Sequence, residues 1–291
     1  MTPTTIPPST KKPYTINVLV DWGKAFVDPN GSFYCGTTDH QKQRAKEVIQ
    51  TADLILYLSD VHTTTSSEFI VNGGLYPAHN LIQKDQYDLS AVGVEAGKTV
   101  SPQLTDTLYD LIKNKRSGLI VPRHVFFQDY NGEQNPKPAF SLEDVEETFG
   151  AKRLDEQEFL DGKIDYVINA KHHFDGTRTN PYAWLGHIPG VPDTEQNVFS
   201  LLKQKYGTGE GIEFDVTGVV MGICIYQTAS GIKQLFPKAT VNVIADACTH
   251  LVYAPLGIAD EDTGNLVAKK MCQQIGINYL STEEYLRKAD K

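Results

Sequence analysis

The chain has 291 residues and a formal net charge of −9, with 27 Lys and Arg against 36 Asp and Glu. Hydrophobic residues make up 40 % and charged residues 22 %, which is ordinary for a globular protein with a substantial core. The acidic balance argues against a nucleic-acid partner, and no apolar run reaches the roughly 18 residues of a membrane-spanning helix. We therefore expect a soluble protein that binds small molecules.

Residues 1–14 are rich in Pro and Thr, and we predict that they form a flexible tail. The apolar run that follows, at 16–20, is too short for the core of a signal peptide. The four cysteines are scattered and contain no CxxC pair, which favours free thiols over a disulfide framework. We expect a cytoplasmic protein with a single domain over residues 15–291.

Apolar, strand-like runs alternate along the chain with longer amphipathic segments. The predicted strands lie at 16–21, 53–60, 118–127, 164–170, 214–220 and 239–246. The predicted helices lie at 40–52, 102–115, 195–206, 224–236, 262–274 and 282–288. These strands are too apolar to show an alternation of apolar and polar residues, and helices separate them. We therefore predict a three-layer α/β/α fold with a mainly parallel, Rossmann-like sheet. Residues 84–163 fit the alternation poorly and are interpreted as an elaborated insertion in this domain.

Chemically useful residues follow four of the predicted strands. They are Asp21, the segment "SDVH" at 59–62, Lys171 and Cys224. In an open parallel sheet, ligands bind beyond the carboxyl ends of the strands. We therefore expect these residues to converge on one edge of the sheet.

Cys224 lies where an apolar run passes into a helical segment. Unpaired amides and the helix dipole at such a start favour the thiolate and can hold an oxyanion. Asp21 is a candidate base for this thiol, and Lys171 is a candidate to stabilise negative charge. The alternative, that Cys224 is only a small buried apolar residue, remains open because most free cysteines are of that kind.

The segment 59–80 contains a second group of candidate residues. In an extended segment, residues i and i+2 point the same way, so Asp60 and His62 can bind one cation together. His79, on a loop shaped by Gly and Pro, would complete the set, and Glu68 is a candidate further ligand. One carboxylate and two imidazoles suit zinc, iron or manganese and do not choose among them.

Together these motifs resemble the isochorismatase-like cysteine hydrolases, and within them the nicotinamidase/pyrazinamidase branch. That family carries VDxQxDF, a metal-binding DxH followed by WPxH, a lysine before an aromatic-rich loop, and a nucleophile within GxxTDxC. The corresponding segments here are "VDWGKAF" (20–26), "DVH" (60–62), "YPAH" (76–79), "KHHF" (171–174) and "GVVMGIC" (218–224).

The resemblance implies a catalytic triad of Asp21 as base, Lys171 as charge stabiliser and Cys224 as nucleophile. It also implies an oxyanion hole from the backbone amides of Val220 and Cys224, with a cis peptide bond between Val219 and Val220. The implied fold, that of the isochorismatase-like hydrolases, agrees with the fold class read from the periodicity.

The resemblance further implies one divalent metal ion, with zinc as the first expectation and iron or manganese as alternatives. Its implied ligands are Asp60, His62 and His79, with Glu68 as an optional further ligand. Phe26 and Tyr76 would hold a flat aromatic ring between them. Members of the family are often oligomers, so we expect a homo-oligomer.

The implied reaction is hydrolysis of a small amide through a thioester, with nicotinamide as the first-choice substrate. Another small amide or a carbamoyl compound is the alternative, as is a ligand-binding homologue without turnover. The chain departs from the family's pattern at positions that shape the pocket, which are Gly23, Ala25, Tyr76, Asn80, Met221 and Gly222. The reaction class is therefore better defined than the substrate.

Overall fold

A computed structural model describes residues 12–62, 64–81, 89–121, 142–171, 173–178, 197–250 and 260–289. The described strands are β1 (Tyr14–Val20), β2 (Leu54–Asp60), β3 (Ser117–Ile120), β4 (Tyr166–Lys171), β5 (Ile212–Val219), β6 (Thr240–Thr249) and β7 (Asn278–Leu280). They form one sheet in the order β3-β4-β2-β1-β5-β6-β7, and every neighbouring pair is parallel. The predicted parallel sheet is confirmed.

The described α-helices are α1 (Lys24–Val27), α2 (Asp39–Ile49), α3 (Asp106–Ile112), α4 (Leu142–Phe149), α5 (Glu156–Leu160), α6 (Val198–Tyr206), α7 (Cys224–Leu235), α8 (Glu261–Gln274) and α9 (Thr282–Ala289). Two short 3-10 helices lie at Ile70–Asn72 and Leu89–Val92. Within the described residues, no helix combines the length and the apolar character needed to cross a membrane.

The helices cover both faces of the sheet. Residues of α2, α3, α4 and α9 pack into one core cluster, and residues of α5, α6, α7 and α8 pack into a second. Successive side chains of β1 alternate between the two clusters, with Leu19 in the first and Val18 and Val20 in the second. This double coverage explains why the strands are apolar without alternation, and it confirms the three-layer architecture.

The structure differs from the predicted elements mainly where the elements are short. The three residues of β7, and helices α1, α4 and α5, were not predicted. Helix α3 begins at Asp106 rather than at 102, because the Thr105 side chain accepts a hydrogen bond from the Leu108 amide and caps the helix there. Tyr14 begins strand β1 instead of ending the tail. Residues 1–11, 122–127 and 195–196 lie outside the described residues.

A buried carboxyl group on β5 anchors the last helix to the sheet. Asp215 is fully buried, and its two oxygens accept hydrogen bonds from Asn242 Nδ2 at 2.6 Å and from the Tyr285 hydroxyl at 2.9 Å. The Tyr285 and Thr51 hydroxyl oxygens are 2.8 Å apart, which links α9 to the end of α2. Burial raises the pKa of Asp215 to about 7.

We expect Asp215 to make the stability of the protein pH-dependent. Because its pKa is higher in the folded than in the unfolded chain, its protonated form stabilises the fold at low pH. That contribution is lost as the pH rises through about 7. The free energy of unfolding in urea, measured from about pH 4 to about pH 8, should therefore fall relative to that of Asp215→Asn. Parallel pH curves for the parent and for Asp215→Asn would contradict this prediction. Asp110→Asn makes the same change at an exposed carboxyl and is the control.

Candidate active site

Four neighbouring strands each bring one functional side chain to the same edge of the sheet. In the spatial order β4, β2, β1, β5 these side chains are Lys171, Asp60, Asp21 and Cys224. Asp60 and Lys171 are register partners of β2 and β4. The strand order reverses between β1 and β5, where open α/β sheets form a crevice. The predicted convergence of these residues is confirmed.

The Lys171 ammonium lies between two carboxylates and a thiol. Its Nζ atom is 2.9 Å from Asp21 Oδ2, 3.5 Å from Asp60 Oδ1 and 3.8 Å from Cys224 Sγ. The other oxygen of Asp21, Oδ1, accepts a hydrogen bond from the Asp60 amide at 2.9 Å. All four side chains are buried, so their charges interact with little screening by water.

Burial and the neighbouring charges together set the protonation of this group. It raises the pKa of Asp21 to about 6, although the Lys171 ammonium opposes the shift. Burial alone would lower the pKa of Lys171, but the Asp21 and Asp60 carboxylates outweigh it and hold the pKa well above the usual range. The lysine is therefore a fixed cation in this site.

The protonation of Cys224 differs from the one that its place in the sequence favours. Cys224 is the first residue of α7, as predicted, but burial raises its pKa well above the ordinary value and the nearby Lys171 opposes the shift only in part. The resting side chain is therefore a thiol, not the thiolate that its helix position alone favours. A reaction at this sulfur needs a base, and Asp21 is within hydrogen-bonding reach of it.

The backbone around the thiol has special geometry. Asp21 has a φ of 53°, a left-handed conformation, and its amide donates to the Leu58 carbonyl at 2.8 Å. The peptide bond between Val219 and Val220 is cis, as the resemblance implies. Helix α7 begins after Ile223 without a side-chain cap, which leaves its first amides without a side-chain partner at that position.

A second cluster, formed by Asp60, His62, Glu68 and His79, adjoins the first. One donor atom from each lies within 4.8 Å of the others. His62 Nε2 is 2.6 Å from both Asp60 Oδ2 and Glu68 Oε1, and His79 Nε2 is 3.3 and 3.4 Å from the same oxygens. Two imidazole nitrogens and two carboxylate oxygens therefore surround one point.

The chemistry of this donor set fits a divalent cation. His79 Nδ1 is 2.6 Å from the Pro77 carbonyl oxygen, and His62 Nδ1 is 3.3 Å from the Ser66 hydroxyl. A proton on Nδ1 leaves Nε2 free to bind a metal. Burial lowers the pKa of His62, but Asp60 and Glu68 outweigh it and raise the pKa to about 10, which shows how strongly the carboxylates attract positive charge. Zinc, iron and manganese all suit such a set.

A cavity opens above both clusters. Its walls include the predicted residues Phe26, Tyr76 and Val220, and its polar floor includes Asp21, Asp60, Glu68, His79 and Cys224. The walls also include Phe33, Cys35, Phe174, Val219 and Ile223. Among these described lining residues there is no Lys or Arg, and most of the wall is apolar.

Phe33 and Phe174 are wall residues that the sequence reasoning did not assign. The Phe33 ring centroid is 5.6 Å from that of Phe26 and 5.4 Å from that of Tyr76, so Phe33 packs against both predicted ring-binding residues. Phe174 meets Tyr76 edge to face at 6.2 Å. Phe174 belongs to the "KHHF" segment and could have been found from it, whereas nothing local distinguishes Phe33. His172 of that segment lies outside the described residues.

Comparison with solved structures identifies the fold. A cysteine hydrolase from Pseudomonas syringae pv. phaseolicola 1448A matches with a TM-score of 0.52 and 14% identity, over 95% of this chain and 92% of that chain. This likeness shows that the two chains share their α/β fold. The pyrazinamidase/nicotinamidase of Streptococcus mutans UA159 (TM-score 0.51, 14% identity, 91% and 99% coverage) shares this fold. PnC1 from L. infantum, in complex with nicotinate, also shares it, with a TM-score of 0.50 and 12% identity over 93% of each chain. No family model and no curated protein matches the sequence.

We expect the protein to bind one zinc ion per chain at Asp60, His62, Glu68 and His79. Because even an outer partner of a metal ligand is worth about 10- to 100-fold in affinity, His79→Ala should weaken zinc binding by at least about tenfold. Elemental analysis after dialysis measures the zinc content per chain, and competition with a chelator measures the affinity. The exposed His40 supplies the control His40→Ala, which should bind as the parent does. Equal affinity in His79→Ala would exclude it as a ligand.

Proposed function

We propose that this protein is a cysteine amidohydrolase that hydrolyses a small aromatic amide through a thioester. The observation that carries the proposal is the burial of Cys224 with Asp21 and Lys171 at the floor of an aromatic cavity. Few structural roles require a carboxylate, an ammonium and a thiol to share one buried site, since each is costly to bury. A nucleophile with its base and its charge stabiliser has this composition.

The first half of the reaction forms the thioester. The Asp21 carboxylate takes the proton of the Cys224 thiol, and the resulting thiolate attacks the amide carbon, forming the C–S bond. The C–N bond then breaks, and the proton passes from Asp21 to the leaving nitrogen, which departs as ammonia. Lys171 stabilises the thiolate and the negative charge that develops nearby. In the second half, water attacks the thioester, giving the carboxylic acid and the free thiol.

Backbone amides stabilise the oxyanion that each attack creates. We assign this role to the amides of Val220 and Cys224, because both residues line the cavity. The Cys224 amide is one of the first in α7, which have no intrahelical partner, and no side chain caps that helix. Donors fixed in this way cost no reorganisation when the charge develops.

The walls and the second cluster orient the substrate. Phe26 and Tyr76 would hold a flat ring between them. Most of the described lining residues are apolar and none of them is Lys or Arg, which favours an uncharged amide. A metal ion held by Asp60, His62, Glu68 and His79 would supply a Lewis-acidic point for a ring nitrogen or a water molecule. Nicotinamide meets these requirements and is the substrate that we propose first.

Ammonia release from nicotinamide and a panel of other small amides tests this proposal. We expect turnover of nicotinamide by the zinc-loaded protein, and a loss on the order of 10⁴-fold or more in Cys224→Ala, because the nucleophile is removed. Treatment with a chelator should also abolish turnover, and added zinc should restore it. Cys272→Ala makes the same change at a buried cysteine that is not among the lining residues, and should retain activity.

Each outcome of this experiment has a distinct meaning. Turnover of a different amide alone would keep the mechanism and replace nicotinamide as the substrate. Ammonia release that persists in Cys224→Ala would exclude the thiol as nucleophile. No ammonia from any amide, with zinc bound and the fold intact by circular dichroism, would overturn the proposal and favour a ligand-binding protein.

A further inference from the structure

One wall of the cavity is held in place by the same helix that carries the candidate nucleophile. Phe174 lines the cavity and belongs to the segment 173–178, which follows closely after Lys171 at the end of β4. The Phe174 side chain is 39% exposed, so packing alone holds its position loosely. The position of this wall therefore depends on how the backbone of 173–178 is fixed.

Helix α7 supplies hydrogen bonds that fix that backbone. Cys224, Thr228 and Gly231 are spaced i, i+4 and i+7, so they share one face of the helix. The Thr228 hydroxyl donates to the Phe174 carbonyl at 3.4 Å and accepts from the Gly176 amide at 3.0 Å. Thr228 is completely buried, so water does not compete for these bonds. One hydroxyl thus holds the backbone on both sides of residue 175.

The segment also lies very close to its neighbours. A Cβ atom added at Gly176 would lie 2.4 Å from Leu58 Cδ1, and one added at Gly231 would lie 2.2 Å from Thr177 Oγ1. The Asp175 carboxylate accepts hydrogen bonds from the Thr177 amide at 2.9 Å and from its hydroxyl at 2.7 Å, which closes a tight turn. Both glycines are therefore required by the close approach of this turn to the sheet and to α7.

We propose that Thr228 is a positioning residue for substrate recognition, acting through Phe174. The candidate nucleophile and the hydroxyl that fixes the aromatic wall lie one helical turn apart, so the distance between thiol and wall is set within a single rigid element. Resting on the proposed amidase function, this predicts a preference for amides whose carbonyl is attached to an aromatic ring. Amides with a short aliphatic chain do not reach the wall and do not depend on Thr228.

Thr228→Val removes the hydroxyl and keeps the branched shape. We expect it to raise KM for nicotinamide about tenfold, the order expected for a lost buried hydrogen bond, with kcat changed less than about threefold. KM for a short aliphatic amide should not change. Thr228→Ser, which retains the hydroxyl, should restore most of the affinity for nicotinamide. Thr51→Val is the matched control, because Thr51 also bears a hydrogen-bonded hydroxyl but lies outside the cavity lining.

A double-mutant cycle with Phe174→Ala decides whether Thr228 acts through the wall. If it does, Thr228→Val adds little in the Phe174→Ala background, because the positioned ring is already absent. A full additional loss in that background would overturn the proposal. So would an equal loss for aromatic and aliphatic amides, since a general disturbance of α7 would affect both.

A second readout does not depend on amide turnover. The parent and variants are alkylated with 2-chloro-N-phenylacetamide and with 2-chloroacetamide, and modification of the Cys224 peptide is followed by mass spectrometry. The aromatic reagent should lose its rate advantage in Thr228→Val and in Phe174→Ala, but not in Thr228→Ser. If this ratio responds while no amide is hydrolysed, the amidase function is wrong and the positioning role stands. An unchanged ratio in both variants would overturn the positioning role itself.

Discussion

The buried Lys171 ammonium is the interaction on which the site depends. It lies against Asp21, Asp60 and Cys224, on strand ends that are far apart in the chain, and its positive charge allows two carboxylates to be buried side by side. Removing one partner from such a buried group leaves a charge uncompensated, at a typical cost of about 3–5 kcal/mol. The fold tolerates this arrangement because strands β4, β2 and β1, and the start of α7 after β5, hold its four members at fixed spacing.

Asp60 connects this group to the candidate metal cluster. Its Oδ1 atom faces Lys171 at 3.5 Å, while its Oδ2 atom lies 2.6 Å from His62 Nε2 and 3.3 Å from His79 Nε2. One carboxylate is therefore shared between the ammonium and the imidazoles. His62 and Lys171 together hold the pKa of Asp60 well below its usual range against the opposing effect of burial. The Asp60 carboxylate is therefore a negative charge that the two clusters share.

Opposing effects act on the pKa of the Cys224 thiol. The helix start and Lys171 favour the thiolate, yet burial raises the pKa of Cys224 well above its ordinary value. A protonated thiol is protected from adventitious reaction, and in the mechanism that we propose the neighbouring Asp21 carboxylate accepts its proton. The same helix also carries Thr228, whose hydroxyl is hydrogen-bonded to the backbone at Phe174 and Gly176.

The sequence by itself determined most of the fold and the set of residues at the sheet edge. Apolar runs between helices indicate a doubly covered parallel sheet, and in such a sheet the residues that follow the strands must share one edge. Asp21, Asp60, Lys171 and Cys224 could be chosen on that ground. The short elements β7 and α5 could not, because a few residues carry too little periodicity to distinguish them.

Only the tertiary structure decided the protonation of Cys224, the sharing of Asp60 between two clusters, and the walls formed by Phe33 and Phe174. Each depends on burial or on distances between segments that are remote in sequence, and no local pattern encodes either. Phe33 meets Tyr76 because the chain after α1 folds back beside the loop that carries His79. Local sequence specifies the elements and their polar ends, whereas desolvation and side-chain distances arise only when those elements pack together.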